Sequence, residues 1–229
     1  MKSRNWTRYR PRATLLVMHT KPSVKRPLRP PWNKRVAVGQ MTPLTAAQAA
    51  TIRAKLTAEQ KSRDLALFNT ALDTMLRASD LLPLRVRQVT DHRGRIVDEF
   101  PIRQRKTGRS HVVTLSRETR DSLAAWIAVS RKGPGAYLWT SIGNRKTGVY
   151  LTREQYANLV KRWVSYADLN WKRYSTHSMR RSKSAAIYQA TKDLAACQHL
   201  LGHKNIGSTA HYLGMDQRRA LSLAKKIRI

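Results

Sequence analysis

Basic residues outnumber acidic residues more than threefold in this chain, and this imbalance limits what the chain can fold into more than any other feature. Its 229 residues include 45 Lys and Arg against 13 Asp and Glu, a formal net charge of +32 at pH 7. Like charges at this density repel one another in a compact state unless a polyanion neutralises them, and the usual polyanions are DNA and RNA. The sequence therefore indicates a domain that binds nucleic acid.

The same sequence excludes several classes of protein. Its one cysteine, Cys197, cannot form an intramolecular disulfide or a multi-thiolate zinc site. No apolar run approaches the roughly 20 residues that span a bilayer, and no signal peptide follows the basic start. There is no GxxxxGKS/T phosphate-binding loop, and the scattered acidic residues offer no two-metal site. We therefore expect a soluble cytoplasmic protein that uses no metal and no nucleotide cofactor.

The first 44 residues differ from the rest of the chain. Residues 1–44 hold 11 Lys and Arg and six of the nine prolines, and the first acidic residue is Glu59. Without helical or strand periodicity, such a segment is expected to form an extended, flexible basic arm. Trp6, Tyr9 and Trp32 lie among arginines and favour an arm that contacts nucleic acid over a tail that only aids solubility, because aromatic rings stack on bases and guanidinium groups bind phosphate.

Residues 45–229 have the pattern of one mostly helical domain. Thr45 with Gln48, and Thr152 with Gln155, have the spacing of capping boxes at helix starts. Apolar residues then recur at the three- and four-residue spacing of a buried helix face. The predicted helices begin at Thr45, run from Leu65 to near Arg77, over 117–131, from Thr152, and over about 178–190, 193–201, 206–212 and 216–227. The predicted core positions on them are Ala49, Ile52, Leu56, Leu65, Phe68, Leu72, Met75, Leu123, Trp126, Ile127, Tyr156, Leu159, Val160 and Trp163.

Residues 95–115 change to the pattern of a β-hairpin. Apolar residues at positions 96, 97, 100 and 102, and again at 112, 113 and 115, flank the run Lys106-Thr107-Gly108-Arg109, whose glycine marks a turn. The predicted fold class is thus mostly α (α+β): a helical domain with one small antiparallel sheet, preceded by the basic arm.

The most informative stretch runs from His177 to Tyr212. His177 and Arg180 are three residues apart, which places them on one face of a helix. Leu201-Gly202-His203 ends 23 residues after Arg180, and Tyr212 follows nine residues after His203. Each feature alone has a structural explanation, such as a glycine that ends a helix or a tyrosine that packs in a core. Their combination in so basic a chain indicates a catalytic site.

Two other interpretations of this stretch are less well supported. His199 and His203 have the spacing of a zinc-binding pair, but neither a HExxH glutamate nor a nearby carboxylate or thiolate accompanies them, so no metal site is predicted. Tyr188 is another tyrosine in this stretch, but it lies among Ala185, Ala186 and Ile187, and this apolar setting predicts a core residue rather than a reactive one.

The stretch THSMRRSKSAAIYQATKDLAACQHLLGHKNIGSTAHYLG resembles the C-terminal part of the tyrosine recombinase (phage integrase) family. Two upstream segments are similar to that family in the same order. Met75-Leu76-Arg77-Ala78-Ser79-Asp80 resembles its first-arginine segment, and Arg105-Lys106-Thr107-Gly108-Arg109 resembles its β-hairpin lysine segment. The resemblance covers about residues 45–229 and implies the catalytic-domain fold of that family.

The resemblance implies a site-specific recombinase that cleaves and rejoins DNA through a 3′-phosphotyrosine intermediate. Tyr212 would be the nucleophile, since a tyrosine ester conserves the energy of the phosphodiester. Arg77 and Arg180 would bind the non-bridging oxygens, on which negative charge develops. Lys106, on a mobile hairpin, would protonate the leaving 5′-oxygen.

Three further residues take supporting roles under the same resemblance. His177 would accept a proton or orient the tyrosine, and His203 would donate a hydrogen bond to the scissile phosphate. Asp80, three residues after Arg77, would orient the site from behind it. The basic residues expected to contact DNA are Arg103, Arg105, Arg109, Arg181, Lys183 and Lys204.

The resemblance also implies partners. Double-stranded DNA recombination sites would be the substrate, and a homotetramer would assemble on paired sites, with residues 216–227 docking on a neighbouring subunit. Only residues 1–44 precede the matching region. In this respect the chain resembles the short, single-domain family members, which have no core-binding domain. An accessory DNA-binding protein is therefore a possible partner. The expected location is the cytoplasm of a prokaryote or phage host, in association with the nucleoid.

Three alternatives to a recombinase are open at this point. One is a DNA-binding regulator of the same fold without catalysis, although none of the expected catalytic residues is missing. Another is relaxation of supercoils in the manner of a type IB topoisomerase, which shares the phosphotyrosine chemistry. The third is a basic RNA- or ribosome-associated protein, which explains the charge but not the four ordered motifs.

Overall fold

The computed structural model describes residues 40–140 and 149–214, and helices dominate in this part of the chain. It contains nine α-helices, a 3-10 helix at Trp171–Arg173 and one two-stranded antiparallel sheet. The helices are α1 (Ala46–Ala58), α2 (Ser62–Thr74), α3 (Ala78–Leu81), α4 (Val86–Val89), α5 (Arg117–Ser130), α6 (Arg153–Ser165), α7 (Thr176–Thr191), α8 (Leu194–Leu201) and α9 (Ile206–Tyr212). The strands are β1 (Glu99–Arg103) and β2 (Ser110–Thr114). The expected fold class, mostly helical with one small antiparallel sheet, is confirmed.

Local capping explains where two of the helices begin. Thr45 and Gln48 form a reciprocal capping box at the start of α1, and Thr152 and Gln155 form another at the start of α6, as the sequence predicts. In each box the side chains satisfy backbone N–H groups that have no partner within the helix. The predicted apolar faces of both helices are buried.

Helix α2 ends earlier than its periodicity predicts. The sequence favours a helix that reaches Arg77, but α2 ends at Thr74 because Met75 adopts a left-handed conformation with φ of 49°. Arg77 then precedes α3 in an extended conformation. The prediction was wrong because Met75 and Leu76 continue the apolar pattern and are both buried, but they do so through a turn rather than through a helix. The turn leaves the Met75 carbonyl oxygen to accept from a side chain, that of Arg180, and places Arg77 at the start of α3.

The β-hairpin has the predicted position but shorter strands. Phe100 pairs with Val113, and Ile102 pairs with His111. Phe100, Ile102 and Val113 are buried, whereas Val112 points outward with 51% of its surface exposed. The turn between the strands, residues 104–109, therefore projects from a hairpin that is anchored in the core.

Helix α2 lies at the centre of the hydrophobic core. Every residue from Ala66 to Thr74 is buried, and the helix packs against α1, α5 and α7. The Phe68 and Trp163 rings meet edge to face with centroids 5.5 Å apart, and the Trp163 indole donates to Asp64 Oδ2 at 3.3 Å. A helix enclosed on all sides is held firmly by its neighbours. Its C-terminal end is consequently a rigid support for the residues that follow it.

Two predicted segments lie largely outside the described residues: the basic arm at 1–44 and the helix at 216–227. Residues 40–44 are described and contact the domain. Leu44 is buried and its N–H donates to Ser182 Oγ at 2.8 Å, while the Thr42 N–H donates to the Arg173 carbonyl oxygen at 2.9 Å. In the part of the chain that the structure describes, no helix is long and apolar enough to cross a membrane.

Tyr188 is not the core residue that its apolar neighbours predict. Its side chain is half-buried on α7, and Lys192 Nζ lies 5.9 Å from the centroid of its ring. The prediction was wrong because the apolar neighbours Ala185, Ala186 and Ile187 are themselves partly or fully exposed.

Candidate active site

Arg180 is a buried arginine held by the ends of two helices. Its guanidinium Nη1 donates to the Met75 carbonyl oxygen after α2, and Nη2 donates to the Leu201 carbonyl oxygen at the end of α8 at 2.6 Å. Only 2% of its surface is exposed. Burial lowers the pKa of Arg180 to about 10, so the guanidinium stays charged at neutral pH. Helix C-terminal carbonyl groups carry partial negative charge and stabilise such a buried cation.

Arg77 and Lys106 meet Arg180 in one cleft. The cleft has a volume of about 700 Å³, and Arg77, Lys106, His177 and Arg180 all line it. Lys106 is exposed at the hairpin turn, and Arg77 is half-buried with Nη1 donating to Gln104 Oε1 at 2.8 Å. The structure therefore brings together four of the six predicted catalytic residues, which come from three separate segments of the chain: the residue before α3, the hairpin turn and α7.

Tyr212, the last residue of α9, packs beside this cleft. Its hydroxyl group donates to the His177 carbonyl oxygen at 3.4 Å. Its ring lies beneath the guanidinium groups of Arg180 and Arg181, at 5.9 and 5.5 Å from the ring centroid. Burial raises the pKa of Tyr212 to about 12, although the nearby arginines oppose this shift. The phenol is therefore protonated at neutral pH, and attack by its oxygen requires a proton acceptor.

His203 faces both Arg180 and Tyr212. Its Nε2 atom lies 3.4 Å from Arg180 Nη2, and its Nδ1 atom lies 3.0 Å from Thr209 Oγ1. The His203 and Tyr212 rings meet edge to face with centroids 5.5 Å apart. Burial, with the charges of Arg180 and Arg77, lowers the pKa of His203 to about 4. The imidazole is thus neutral, and Nε2 accepts from Arg180 in this arrangement, because a guanidinium group can only donate.

His177 occupies the first turn of α7 and is exposed toward the cleft. Partial desolvation of the ring, followed by the charges of Arg180, Arg77, Lys106 and Arg181, lowers its pKa below the usual range. A neutral imidazole can accept a proton. His177 therefore meets the chemical requirement for the predicted acceptor.

The carboxylate of Asp80 is hydrogen-bonded to the hairpin, whereas only its main chain is bonded to Arg77. It is buried, and its Oδ1 atom accepts from the backbone N–H of Arg105 at 3.0 Å. This bond holds the turn that carries Lys106, and the orienting role of Asp80 stays a prediction.

The predicted DNA contacts fall into two groups. Arg103, Arg105, Arg109 and Lys204 are exposed, and their contact with DNA stays a prediction. The other two, Arg181 and Lys183, are held within the domain. Arg181 donates to the Met41 carbonyl oxygen at 2.7 Å and to Gln40 Oε1 at 2.6 Å.

Lys183 is held by α2 instead. Its Nζ atom lies 2.7 Å from Asp73 Oδ1, and Asp73 Oδ2 accepts from the Ser116 N–H at 2.7 Å and from the Thr119 hydroxyl at 2.5 Å. This network joins α2, α5 and α7, so Lys183 stabilises the fold. Contact of Arg181 and Lys183 with DNA also stays a prediction, but each has a partner within the domain.

Several residues at the site were not identified from the sequence motifs. Gln104 is completely buried and bonds to Arg77, and Thr209 is completely buried and bonds to His203. Tyr150 and Arg153 also line the cleft. The alternation of the hairpin does contain a signal for Gln104, because it continues the buried face of Phe100 and Ile102 at a spacing of two.

No three His, Cys, Asp or Glu side chains within residues 40–140 and 149–214 lie close enough together to hold a metal ion. His199 is exposed, whereas His203 is half-buried against Thr209 and Arg180. The described site is instead a cluster of cations around one neutral phenol and two neutral imidazoles. Such a cluster suits a bound phosphodiester, whose negative charge it would offset.

Comparison with known proteins agrees with the motifs. Residues 43–219 match the model of the phage integrase family. The probable integrase/recombinase YoeC of Bacillus subtilis is 25% identical over 158 residues, which is 69% of this chain and 81% of that protein. The tyrosine recombinase XerD of Brucella suis is 30% identical over 165 residues, which is 70% of this chain and 51% of that protein. The chain thus spans about half the length of XerD.

Solved structures share the fold. The crystal structure of XerA recombinase superposes with a TM-score of 0.65 at 17% identity, covering 84% of this chain and 68% of XerA. XerH site-specific recombinase, bound to its difH substrate in a pre-cleavage complex, superposes with a TM-score of 0.61 at 19% identity, covering 83% of this chain and 56% of XerH.

Proposed function

The chain belongs to the phage integrase family, and from this premise we propose that it is a site-specific DNA recombinase that works through a covalent bond between Tyr212 and a 3′-phosphate. The observation that carries the proposal is the cleft that collects Arg77, Lys106, His177 and Arg180 beside the Tyr212 hydroxyl group. The recombinases XerD and XerH, which resemble this chain, support the same reaction class.

The proposed first step is an attack on the scissile phosphorus by the Tyr212 oxygen. A bond forms between that oxygen and phosphorus, and the bond from phosphorus to the 5′-oxygen breaks. The phenol proton passes to the neutral His177 imidazole, and the 5′-oxygen leaves as a hydroxyl with a proton from Lys106. A 5′-hydroxyl of another strand reverses these steps and exchanges the strands, so neither metal nor ATP is needed.

The proposed transition state is stabilised by hydrogen bonds to the non-bridging oxygens. Arg77 and Arg180 offer rigid, paired donors to these oxygens, and each is already oriented by a neutral or main-chain acceptor. His203 accepts from Arg180 in the described arrangement. For the histidine to donate to the phosphate, its proton must sit on Nε2, with Nδ1 accepting from the Thr209 hydroxyl group instead.

The substrate in this proposal is double-stranded DNA with paired recombination sites. Arg103, Arg105, Arg109 and Lys204 are exposed and would contact its phosphates, together with the basic arm at 1–44. We extend the proposal to a homotetramer on the paired sites and to an accessory DNA-binding protein. Formation of complete recombinant products, rather than covalent complexes alone, tests both.

A nicked suicide substrate tests the chemistry directly. Purified protein is mixed in EDTA with a pool of nicked duplexes of randomised core sequence, enriched for binding, and the products are separated on a denaturing gel. We expect a covalent protein–DNA band that is absent with Tyr212→Phe. Tyr188→Phe is the matched control, because Tyr188 lies in the same region but outside the cleft, and it should retain the band.

Other outcomes would redirect the assignment. A band that persists with Tyr212→Phe would mean that another tyrosine is the nucleophile. Tight binding without any band would favour the non-catalytic DNA-binding regulator. Relaxation of supercoiled DNA without preference for sequence would favour a topoisomerase-like activity.

A further inference from the structure

Gln104 is a polar residue that is completely buried at the base of the Lys106 turn. Its Oε1 atom accepts from Arg77 Nη1 at 2.8 Å and from Thr107 Oγ1 at 2.9 Å, and its Nε2 atom donates to the Leu201 carbonyl oxygen at 3.2 Å. A guanidinium group can only donate and a carbonyl oxygen can only accept, so these partners determine which way the amide faces. One side chain thus connects three segments of the site.

The main chain of Gln104 also closes the turn that carries the lysine. The Gln104 N–H donates to the Arg109 carbonyl oxygen at 2.8 Å, and the Gly108 N–H donates to the Gln104 carbonyl oxygen at 2.8 Å. Thr107, the neighbour of Lys106, is bonded to the Gln104 side chain. A displacement of Gln104 would therefore move the lysine.

The acceptor of the Gln104 amide is shared with the second arginine. The Leu201 carbonyl oxygen accepts from Gln104 Nε2 at 3.2 Å and from Arg180 Nη2 at 2.6 Å. Because a carbonyl oxygen has two lone pairs, the two donors can bind at once. Gln104 is therefore bonded to Arg77, linked to Arg180 through one shared atom, and linked to Lys106 through the turn.

The absence of charge on the Gln104 side chain matters for Arg77 as much as its hydrogen bonds do. A carboxylate at this position would offset the charge of Arg77, which the proposed reaction needs for phosphate, and it would leave the Leu201 carbonyl oxygen without one of its donors. An amide orients the guanidinium group and leaves its charge available.

We propose that Gln104 is a positioning residue that couples the orientation of Arg77 to the placement of Lys106. This inference rests on the proposed recombinase function. It requires that the loss of the amide impair both stabilisation of the phosphate by arginine and protonation of the leaving oxygen by lysine.

The test compares two substrates with the same sequence and different leaving atoms. In one the bridging 5′-atom is oxygen, and in the other it is sulfur, whose thiolate leaves without a proton because thiols have a pKa near 8.5. Single-turnover cleavage is measured for the wild type, for Gln104→Met and for Gln104→Glu. Val112→Thr is the control on the same hairpin, since Val112 points outward.

For Gln104→Met we expect cleavage of the oxygen substrate to slow by about 10²–10³-fold, the range for removing one donor or acid from a site. DNA affinity should change by no more than about threefold, because each phosphate contact gives only part of the binding energy. With the sulfur substrate the loss should shrink at least tenfold. Val112→Thr should match the wild type on both substrates.

Two results would overturn the inference. One is cleavage of the oxygen substrate by Gln104→Met within threefold of the wild type. The other is an equal loss on both substrates, which would show that Gln104 has no effect on Lys106. Gln104→Glu covers the case in which Gln104→Met does not fold, because it keeps the length and one acceptor, and it should show the same substrate dependence. A wild type without a covalent band would contradict the proposed function instead.

Discussion

Replacement of Gly202 by alanine should damage the fold and the site together. Gly202 ends α8 with φ of +59°, a left-handed conformation in which an L-residue costs about 1–2 kcal/mol. A Cβ atom here would come well within 3.0 Å of Gln104 Nε2 and would lie 3.2 Å from His111 Nδ1. Backbone strain and steric overlap therefore act at the same residue.

The size of the effect follows from what the overlap displaces. Gln104 is completely buried, so its amide cannot move without losing its bonds to Arg77 and to the Leu201 carbonyl oxygen. A neutral hydrogen bond contributes about 1 kcal/mol and one to a charged group about 1.5–3 kcal/mol. Together with the strain, we expect Gly202→Ala to lower the free energy of unfolding by about 3.5–6 kcal/mol.

Gly94→Ala provides a matched control for the strain alone. Gly94 has φ of +78°, and a Cβ atom there would meet nothing within 4 Å. Urea denaturation of both variants should give a loss of about 1–2 kcal/mol for Gly94→Ala, so the difference between them measures the overlap. The double variant Gly202→Ala with Gln104→Ala should lose less stability than the two single losses added together, because the overlapping atoms are gone.

Covalent-complex formation is the second assay for this prediction. Gly202→Ala should form the complex slowly under conditions in which it is folded, since Arg77 loses its acceptor, whereas Gly94→Ala should react like the wild type. If Gly202→Ala and Gly94→Ala had equal stability and equal activity, the close approach of Gly202 to Gln104 would be refuted.

Two further predictions concern charge and pH. Lys183→Met should lower the free energy of unfolding by about 1–3 kcal/mol, because it leaves the buried Asp73 carboxylate without its cation, and it should leave the salt dependence of DNA binding unchanged. Lys204→Met should leave the stability unchanged and reduce the magnitude of the slope of log affinity against log salt concentration by about one. Equal slopes for both variants would contradict these assignments. His203, whose pKa is lowered to about 4 in the folded state, should make the protein less stable as the pH falls from about 6.5 toward 4, because only the unfolded chain takes up that proton. His203→Gln should reduce this decline in pH-dependent urea titrations, and an unchanged decline would refute the lowered pKa.

Local sequence signals were sufficient for much of the fold. Side-chain capping at Thr45 and Thr152 involves residues three apart, so the starts of α1 and α6 were predictable from neighbouring letters. The hairpin turn was equally local, since it depends on Gly108 and on alternation in the flanking strands. The end of α2 was not predictable from neighbouring letters, because the left-handed conformation of Met75 goes together with its packing and with a hydrogen bond from the distant Arg180.

The candidate site divides in the same way. The sequence by itself determined which residues to consider: spacing selected His177 and Arg180, and the resemblance to the phage integrase family selected Arg77 and Lys106. All four line one cleft. Only the tertiary structure decided how they are held.

The supporting contacts join residues that are far apart in the chain. Gln104 is 97 positions from its acceptor in Leu201, and Lys183 is 110 positions from Asp73. Whether a basic side chain faces solvent or a buried partner depends on which elements pack against it. That packing is set by the whole core, so periodicity and spacing could not distinguish Lys183, which is paired with the buried Asp73, from the exposed Lys204.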